Sequence, residues 1–234
     1  LAMAEGLGSD AKEEYRRIPW IWRMAITASK SSDTNAHRHL LDVSMPRGNA
    51  SLNDWQAVVL GGGLINGLSQ QGIWPRPRVE QLLRDLPDGT SRWNHTLKEA
   101  FIMADNAKVP TGTRYDALRM VALAEDEKAL PCLSRYLAKG TDDELMMGAI
   151  SGLSDVSSDQ VAGLLLGALR HCSRENRSIA LEALRQSDQR VAALLEALEK
   201  KRVPLSMLAD RDRKSLREWP RESLRRRAVQ LLQP

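Results

Sequence analysis

At 234 residues, 42% of them hydrophobic and 27% charged, the chain has the composition of a folded protein, which excludes wholesale disorder. No apolar run approaches the ~18 residues of a membrane helix, so membrane insertion is not expected; the longest, Val58 to Ile65, is eight residues and includes three glycines. Charge is uneven: residues 200–234 hold eleven Lys/Arg against four Asp/Glu, a local +7 that exceeds the whole chain's +4.

In chain order, residues 1–12 read as a disordered, Gly/Ala-containing lead-in. A helix starts near Glu13, with Ile18, Ile21, Trp22 and Ala25 on one face and Pro19 in its early turns. Ser31-Ser32-Asp33 marks a break, a short helix spans Asn35 to Val43, and Met45 to Ser51 is a loop by composition. Asn53 can cap a helix carrying Trp55, Val58, Val59 and then Gly61-Gly62-Gly63. Gln70 to Pro77 reads as an interruption, Val79 to Leu86 as a short helix, and Thr90 or Ser91 opens a helix with Leu97, Ala100, Phe101 and Ala104. The spacings Thr141…Glu144 and Ser157…Gln160 predict capping boxes. Pro204 and Pro220 punctuate the basic end, and Leu224, Ala228, Leu231 and Leu232 form a last amphipathic face. No sustained period-two alternation marks a strand, so the expected fold class is all-α.

The second half repeats. Met120-Val121-Ala122-Leu123, Ile150-Ser151-Gly152-Leu153 and Leu181-Glu182-Ala183-Leu184 superimpose when shifted by 30 and then 31 residues. Each is followed by a second apolar face: Leu130/Leu133/Leu137, Val161/Leu164/Ala168 and Val191/Leu194/Leu198. Two helices per repeat predict a HEAT-like α-solenoid, a right-handed superhelical stack of antiparallel pairs whose apolar faces are shielded only by their neighbours. The unit is shorter than the roughly 40–47 residues of HEAT and armadillo repeats, and the ankyrin and tetratricopeptide signatures are missing. The expected organisation is the lead-in 1–12, an irregular Trp/Gly-rich helical subdomain over 13–110, and HEAT-like repeats with basic terminal helices over 111–234. Five of the six Trp lie in the first 93 residues, and the remainder is Leu/Ala-rich.

Candidate chemistry is sparse. In Leu60-Gly61-Gly62-Gly63-Leu64-Ile65-Asn66-Gly67, bare backbone could hold an anion, or it could let two helices cross closely. The P-loop Lys-Ser/Thr and the GxGxxG spacing are both missing. His37 and His39 are two apart, a spacing that sends helical side chains to different faces. His171-Cys172 has the same difficulty as a nucleophile–base pair. Cys132 and Cys172 are the only cysteines, and without CxxC or CxxCH the chain carries no zinc ribbon, redox pair or covalent c-type haem. Acidic pairs such as Asp142-Asp143 suit helix starts without any acid–base role. Arg185, Arg190, Lys200, Lys201 and Arg202 could line a phosphate-binding ridge, but without interleaved aromatics nucleic acid is not the expected partner.

The segments Arg17-Ile18-Pro19-Trp20-Ile21-Trp22-Arg23-Met24-Ala25, Leu52 to Gly67 and Gly72-Ile73-Trp74-Pro75 resemble a region of large exported planctomycete-type proteins. Those proteins are described as membrane-bound dehydrogenases with HEAT-like repeats and a c-type haem domain. The resemblance covers roughly residues 14–75. It implies an exported or periplasmic helical connector between a propeller-like dehydrogenase-type domain and a haem domain. The chain starts at Leu1 rather than Met, which is expected of a fragment.

The expected function is therefore a non-enzymatic helical-repeat scaffold for protein–protein or interdomain contacts, with no catalytic residue, metal ligand or cofactor of its own. Its expected contact residues are Asp54, Trp55, Gly61, Gly62, Gly63, Asn66 and Trp74, because clustered Trp often anchors interfaces. Two alternatives stand beside it. One is a segment of an exported haem-containing oxidoreductase whose catalytic and haem domains lie outside this chain. The other is a HEAT-like DNA-binding protein, which would bind duplexes in a salt-sensitive way.

Overall fold

A computed structural model describes residues 11–232, with side chains from Arg16 onward. The expected lead-in falls largely on residues 1–10, outside the described residues. Among the described residues the fold is all-helical, with thirteen helices and no strand. The chain forms two compact units, one through Cys132 and one from Leu133, and the division falls within a helix, Asp126–Arg135.

The first unit is built on α1 (Ala11–Ser29), α2 (Thr34–Ser44), α3, α4 (Pro75–Leu83), α5 (Gly89–Asp105) and α6 (Thr111–Val121). Helix α3 has three parts without a break: Asp54–Ala57, a π-helical stretch Val58–Ile65, and Asn66–Gln70. Asp33 caps α2 by accepting the Asn35 and Ala36 N–H groups, and Gln56 Oε1 accepts the Asn53 N–H at the start of α3. The prolines at 75 and 77 do not interrupt the chain: they lie in the first turn of α4, where backbone N–H groups have no intrahelical acceptor. Helix α5 starts at Gly89 behind left-handed Asp88, slightly before the expected Thr90 or Ser91.

Helix α3 is the centre of this unit, packed against α1 on one side and α6 on another. Every residue from Val58 to Ile65 is buried. A Cβ on Gly61 would collide with the backbone carbonyl of Asp116 in α6. One on Gly62 would meet the Trp22 indole and Asp116, and one on Gly63 would meet Ala25. Gly67 stands likewise against Ser29, so Ala25 and Ser29, one turn apart on α1, face Gly63 and Gly67, one turn apart on α3. The buried face of α1 is thus Ile21, Ala25 and Ser29. Trp22, expected on that face, lies at its edge and stays 38% exposed. Helix α6, expected to open the repeats at residue 111, packs on α3 and α5 and belongs to the first unit.

The second unit contains α8 (Asp143–Ser154), α9 (Gln160–Ala168), α10 (Arg174–Ala183), α11 (Asp188–Glu199), a 3₁₀ turn (Leu205–Met207), α12 (Asp210–Arg217) and α13 (Glu222–Leu231); α7 is the boundary helix Asp126–Arg135. Helix α8 packs against α10, α9 against α11, and α11 against α13. Neither expected box forms as read: α9 starts behind Asp159, which makes no side-chain cap, and the cap of α8 falls one residue later. Asp142 rather than Thr141 accepts the Glu144 and Leu145 N–H groups, because its carboxylate is the better acceptor beside the helix dipole. Ser173 and Ser187 cap α10 and α11 in the same way. Ile150, Leu153, Leu181 and Leu184 are buried, and on α9 the inward position is Leu165 rather than Leu164.

Arginines close the carbonyl ends of these helices. Arg92 donates to Asp42 O (2.6 Å) and Met45 O (3.1 Å) at the end of α2, and Arg114 Nε to Ala104 O (2.8 Å) at the end of α5. Arg76 reaches Ala122 O (3.3 Å) and Ala124 O beyond α6, and pairs with Asp126 at 2.8 Å. In the second unit Arg177 donates to Leu169 O and Cys172 O, both at 3.1 Å, below α9. Arg190, 4% exposed, donates to Ser154 O (3.2 Å) and Val156 O after α8 and to Ala183 O (3.1 Å) ending α10. Burial pushes its guanidinium below its ordinary value, and the nearby Asp155 charge opposes that.

Substitutions at three places in this packing have outcomes that urea denaturation would read. Gly61→Ala should destabilise by at least ~1–3 kcal/mol, because backbone rather than a movable side chain blocks the methyl. Gly163→Ala and Gly167→Ala, on exposed positions of α9 with open space around them, should each stabilise by up to ~1 kcal/mol. Arg190→Met should cost ~3–5 kcal/mol, since three carbonyls at two helix ends lose their donor and Asp155 its guanidinium neighbour. Arg190→Lys should recover only part of it, because a single ammonium cannot span carbonyls from two helices.

Candidate functional site

The residues singled out in the sequence do not gather at one surface. Gly61, Gly62 and Gly63 are enclosed between α1 and α6, so their backbone faces protein rather than a ligand. Trp55 packs against the cluster of Ile21, Ala25 and Val59, and so serves the core of the first unit. Asp54 is half-buried in the first turn of α3. Asn66 is half-buried and accepts from Gln70 Nε2 at 3.0 Å on the same helix. Trp74 is 39% exposed beside exposed Ile73, immediately before α4. Of the seven, Trp74 presents the most apolar surface to solvent.

The structure shows a different apolar patch. On α1, Trp20 and Met24 are 57% and 62% exposed and lie one turn apart. The Arg23 guanidinium sits 5.3 Å from the Trp20 ring centroid, within cation–π range. The signal was there in the i, i+4 spacing, but the buried face of α1 contains apolar residues at neighbouring positions, and periodicity alone did not separate the two.

The histidine pairs part as helix geometry requires. His37 is buried and neither ring nitrogen has a hydrogen-bond partner, whereas His39 is exposed. His171 Nε2 lies 2.5 Å from Leu137 O, while Cys172 Sγ donates to Ala168 O in the preceding turn. Burial pushes the Cys172 thiol up, against the lowering effect of the Arg177 charge. A buried thiol held protonated is a poor nucleophile.

Clefts open in both units, and one from each bears on the charge distribution. That of the first unit, about 790 Å³, lies among α4, α5 and the residues after α6. Trp93, Leu97 and Phe101 form part of its floor, and Arg84 and Lys98 stand on its rim. Its other cations are already engaged, Arg76 by Asp126 and Lys128 by Glu125 at 2.7 Å. The cleft of the second unit, about 650 Å³, lies between α10 and residues 206–212 and gathers Arg174, Arg177 and Arg211. Nothing in the local sequence marks it, because its cations come from segments more than thirty residues apart.

Four of the five cations that could line a ridge at the basic end are engaged within the second unit. Arg185 is paired with Asp212, Lys200 and Arg202 with Glu196, and Arg190 is buried among carbonyls. Further along, Arg221 pairs with Asp188, Arg226 with Glu222 and Arg227 with Glu199. Five of the eleven Lys/Arg of residues 200–234 are thus paired with acids of the second unit. Among the described residues, no helix is long and apolar enough to cross a membrane.

Thiol titration at mildly alkaline pH should find both cysteines unreactive in the folded chain and fully reactive in denaturant. Reactivity of Cys172 in the folded chain should rise only at pH above the ordinary cysteine range, since burial raises its pKa. No protein-family model matches this chain, and comparison with curated proteins gives no match.

Proposed function

We propose that this chain is a non-enzymatic helical scaffold, HEAT-like in its second unit, that holds a protein partner or neighbouring domains of its own polypeptide. The observation that carries the reading is next-but-one helix packing: α8 on α10, α9 on α11, α11 on α13. That pattern is what a stack of antiparallel pairs produces when each pair shields the next. Equivalent positions support it, since Ile150 and Leu181 occupy the same buried place 31 residues apart. Asn176 Nδ2 donates to Asp143 O at 2.9 Å, tying the first turn of α10 to that of α8. Trp20 and Met24 in the first unit supply exposed apolar surface of the kind that interfaces use. The resemblance over residues 14–75 extends the reading to a connector in an exported protein whose redox chemistry lies in other domains.

Hydrogen exchange on the full chain tests the stacking. Ile150→Ala should cost ~2–5 kcal/mol. In a stack, the loss of amide protection should be greatest in α8 to α10 and fade towards α13. Uniform loss across residues 143–231 would point to a closed helical bundle and reject the solenoid.

A further inference from the structure

The cleft of the second unit, between α10 and residues 206–212, opens beside the helix packing just described and shares Leu181 with it. We propose that it binds the carboxylate side chains of an acidic, leucine-containing segment of a partner polypeptide. This rests on the scaffold reading and names the chemistry of the partner.

The charge in the cleft is not matched by its own walls. Arg177 is held by two neutral carbonyls, Leu169 O and Cys172 O, so its orientation is set while its charge meets no carboxylate there. Arg211 donates to Ser178 Oγ, which draws its guanidinium to the mouth of the cleft. Arg174 is exposed at the start of α10. The one acid in the wall, Asp212, is 2% exposed and already engaged. Its Oδ1 pairs with Arg185, its Oδ2 accepts the Ala209 N–H at 3.0 Å, and Arg211 Nε stands only at 3.8 Å. Three guanidinium groups around one committed carboxylate leave a positive field that a concave surface concentrates.

The floor chooses among anions. Leu181, Met207 and Leu208 line it, so a ligand that fills the cleft brings apolar side chains beside its charge. Guanidinium forks match carboxylates in two-point contacts. A nucleic acid would need stacking partners for its bases, and no aromatic residue lines the cleft. It would also need a continuous row of cations, whereas Arg221, Arg226 and Arg227 are paired with acids of the same unit.

The test uses the full chain and fluorescence anisotropy with a labelled twelve-residue peptide of alternating Glu and Leu. Unlabelled inorganic phosphate and duplex DNA serve as competitors. Arg174→Glu with Arg211→Glu should weaken peptide binding at least about tenfold. Arg174→Gln with Arg211→Gln should weaken it less, guarding against misfolding of the reversed variant. Lys214→Glu with Arg217→Glu changes net charge equally on α12 outside the cleft, and should leave affinity within about twofold. Equal weakening by both reversals would show attraction to overall charge and overturn the site, as would no weakening by the cleft variants. Competition by duplex DNA or millimolar phosphate that is lost in the cleft variant would overturn the peptide assignment. The outcome is separable from the solenoid reading: uniform exchange loss with a cleft-specific binding defect sinks the stack alone, and graded loss without that defect sinks the cleft alone.

Discussion

The constraint on which both units depend is that the last carbonyls of a helix have no partner in their own helix. A chain of many short helices has many such ends, and tight turns bring several of them out of reach of water. A guanidinium on a neighbouring helix meets the need well. It carries several donors in one plane, it keeps its charge, and the negative end of the helix dipole attracts it. Arg92, Arg114, Arg76, Arg177 and Arg190 all act in this way. Each fixes the distance and rotation between two or more elements, which apolar packing alone leaves less defined. An unmet buried carbonyl costs about 1–3 kcal/mol, so every such contact both stabilises the intended arrangement and penalises alternatives.

Within the first unit a second constraint operates, the approach of three backbones. Helix α3 lies against both α1 and α6, and any Cβ at positions 61, 62 or 63 would occupy space already filled. Glycine in a helix costs about 1 kcal/mol relative to alanine, and the sequence accepts that cost four times between Gly61 and Gly67. Contact with Ala25 and Ser29 on one side and the backbone of Asp116 on the other supplies the compensation. The π-helical form of residues 58–65 accompanies this crossing. It turns a motif that resembles a phosphate loop into interior structure, because the same bare backbone that could approach a ligand is covered by helices.

How much of this was legible in the sequence depended on whether a feature is carried by side-chain pattern. Helix class, Asn53 as a starting signal and the buried positions Ile150, Leu153, Leu181 and Leu184 follow from periodicity and capping chemistry. The affiliation of α6 did not, since its apolar residues fit the repeat as well as they fit the crossing with α3. Trp22 was misplaced because one residue on a helix is a rotation of about 100°, enough to move a side chain from a face to its edge. Pro75 and Pro77 looked like breakers although the first turn of a helix tolerates them. The arginine contacts were invisible for a deeper reason: their acceptors are main-chain carbonyls, which any residue supplies.

The same point governs how the charge of this chain is to be read. Counted along the sequence, residues 200–234 form a basic tail, and proximity suggests one anionic surface. In space the cations divide by what stands opposite. Arg190 and Arg177 face helix ends, and Arg221, Arg226 and Arg227 face carboxylates. Arg174 and Arg211 lie outside the most basic run of the tail, yet they border the concave wall whose acid is already engaged by Arg185. Net charge sets long-range attraction, but binding at a defined place requires charge without a local partner beside a surface that excludes water. By that criterion the informative arginines of this protein are not the adjacent ones near its end, Arg225, Arg226 and Arg227, but two brought together by the fold from positions 37 residues apart.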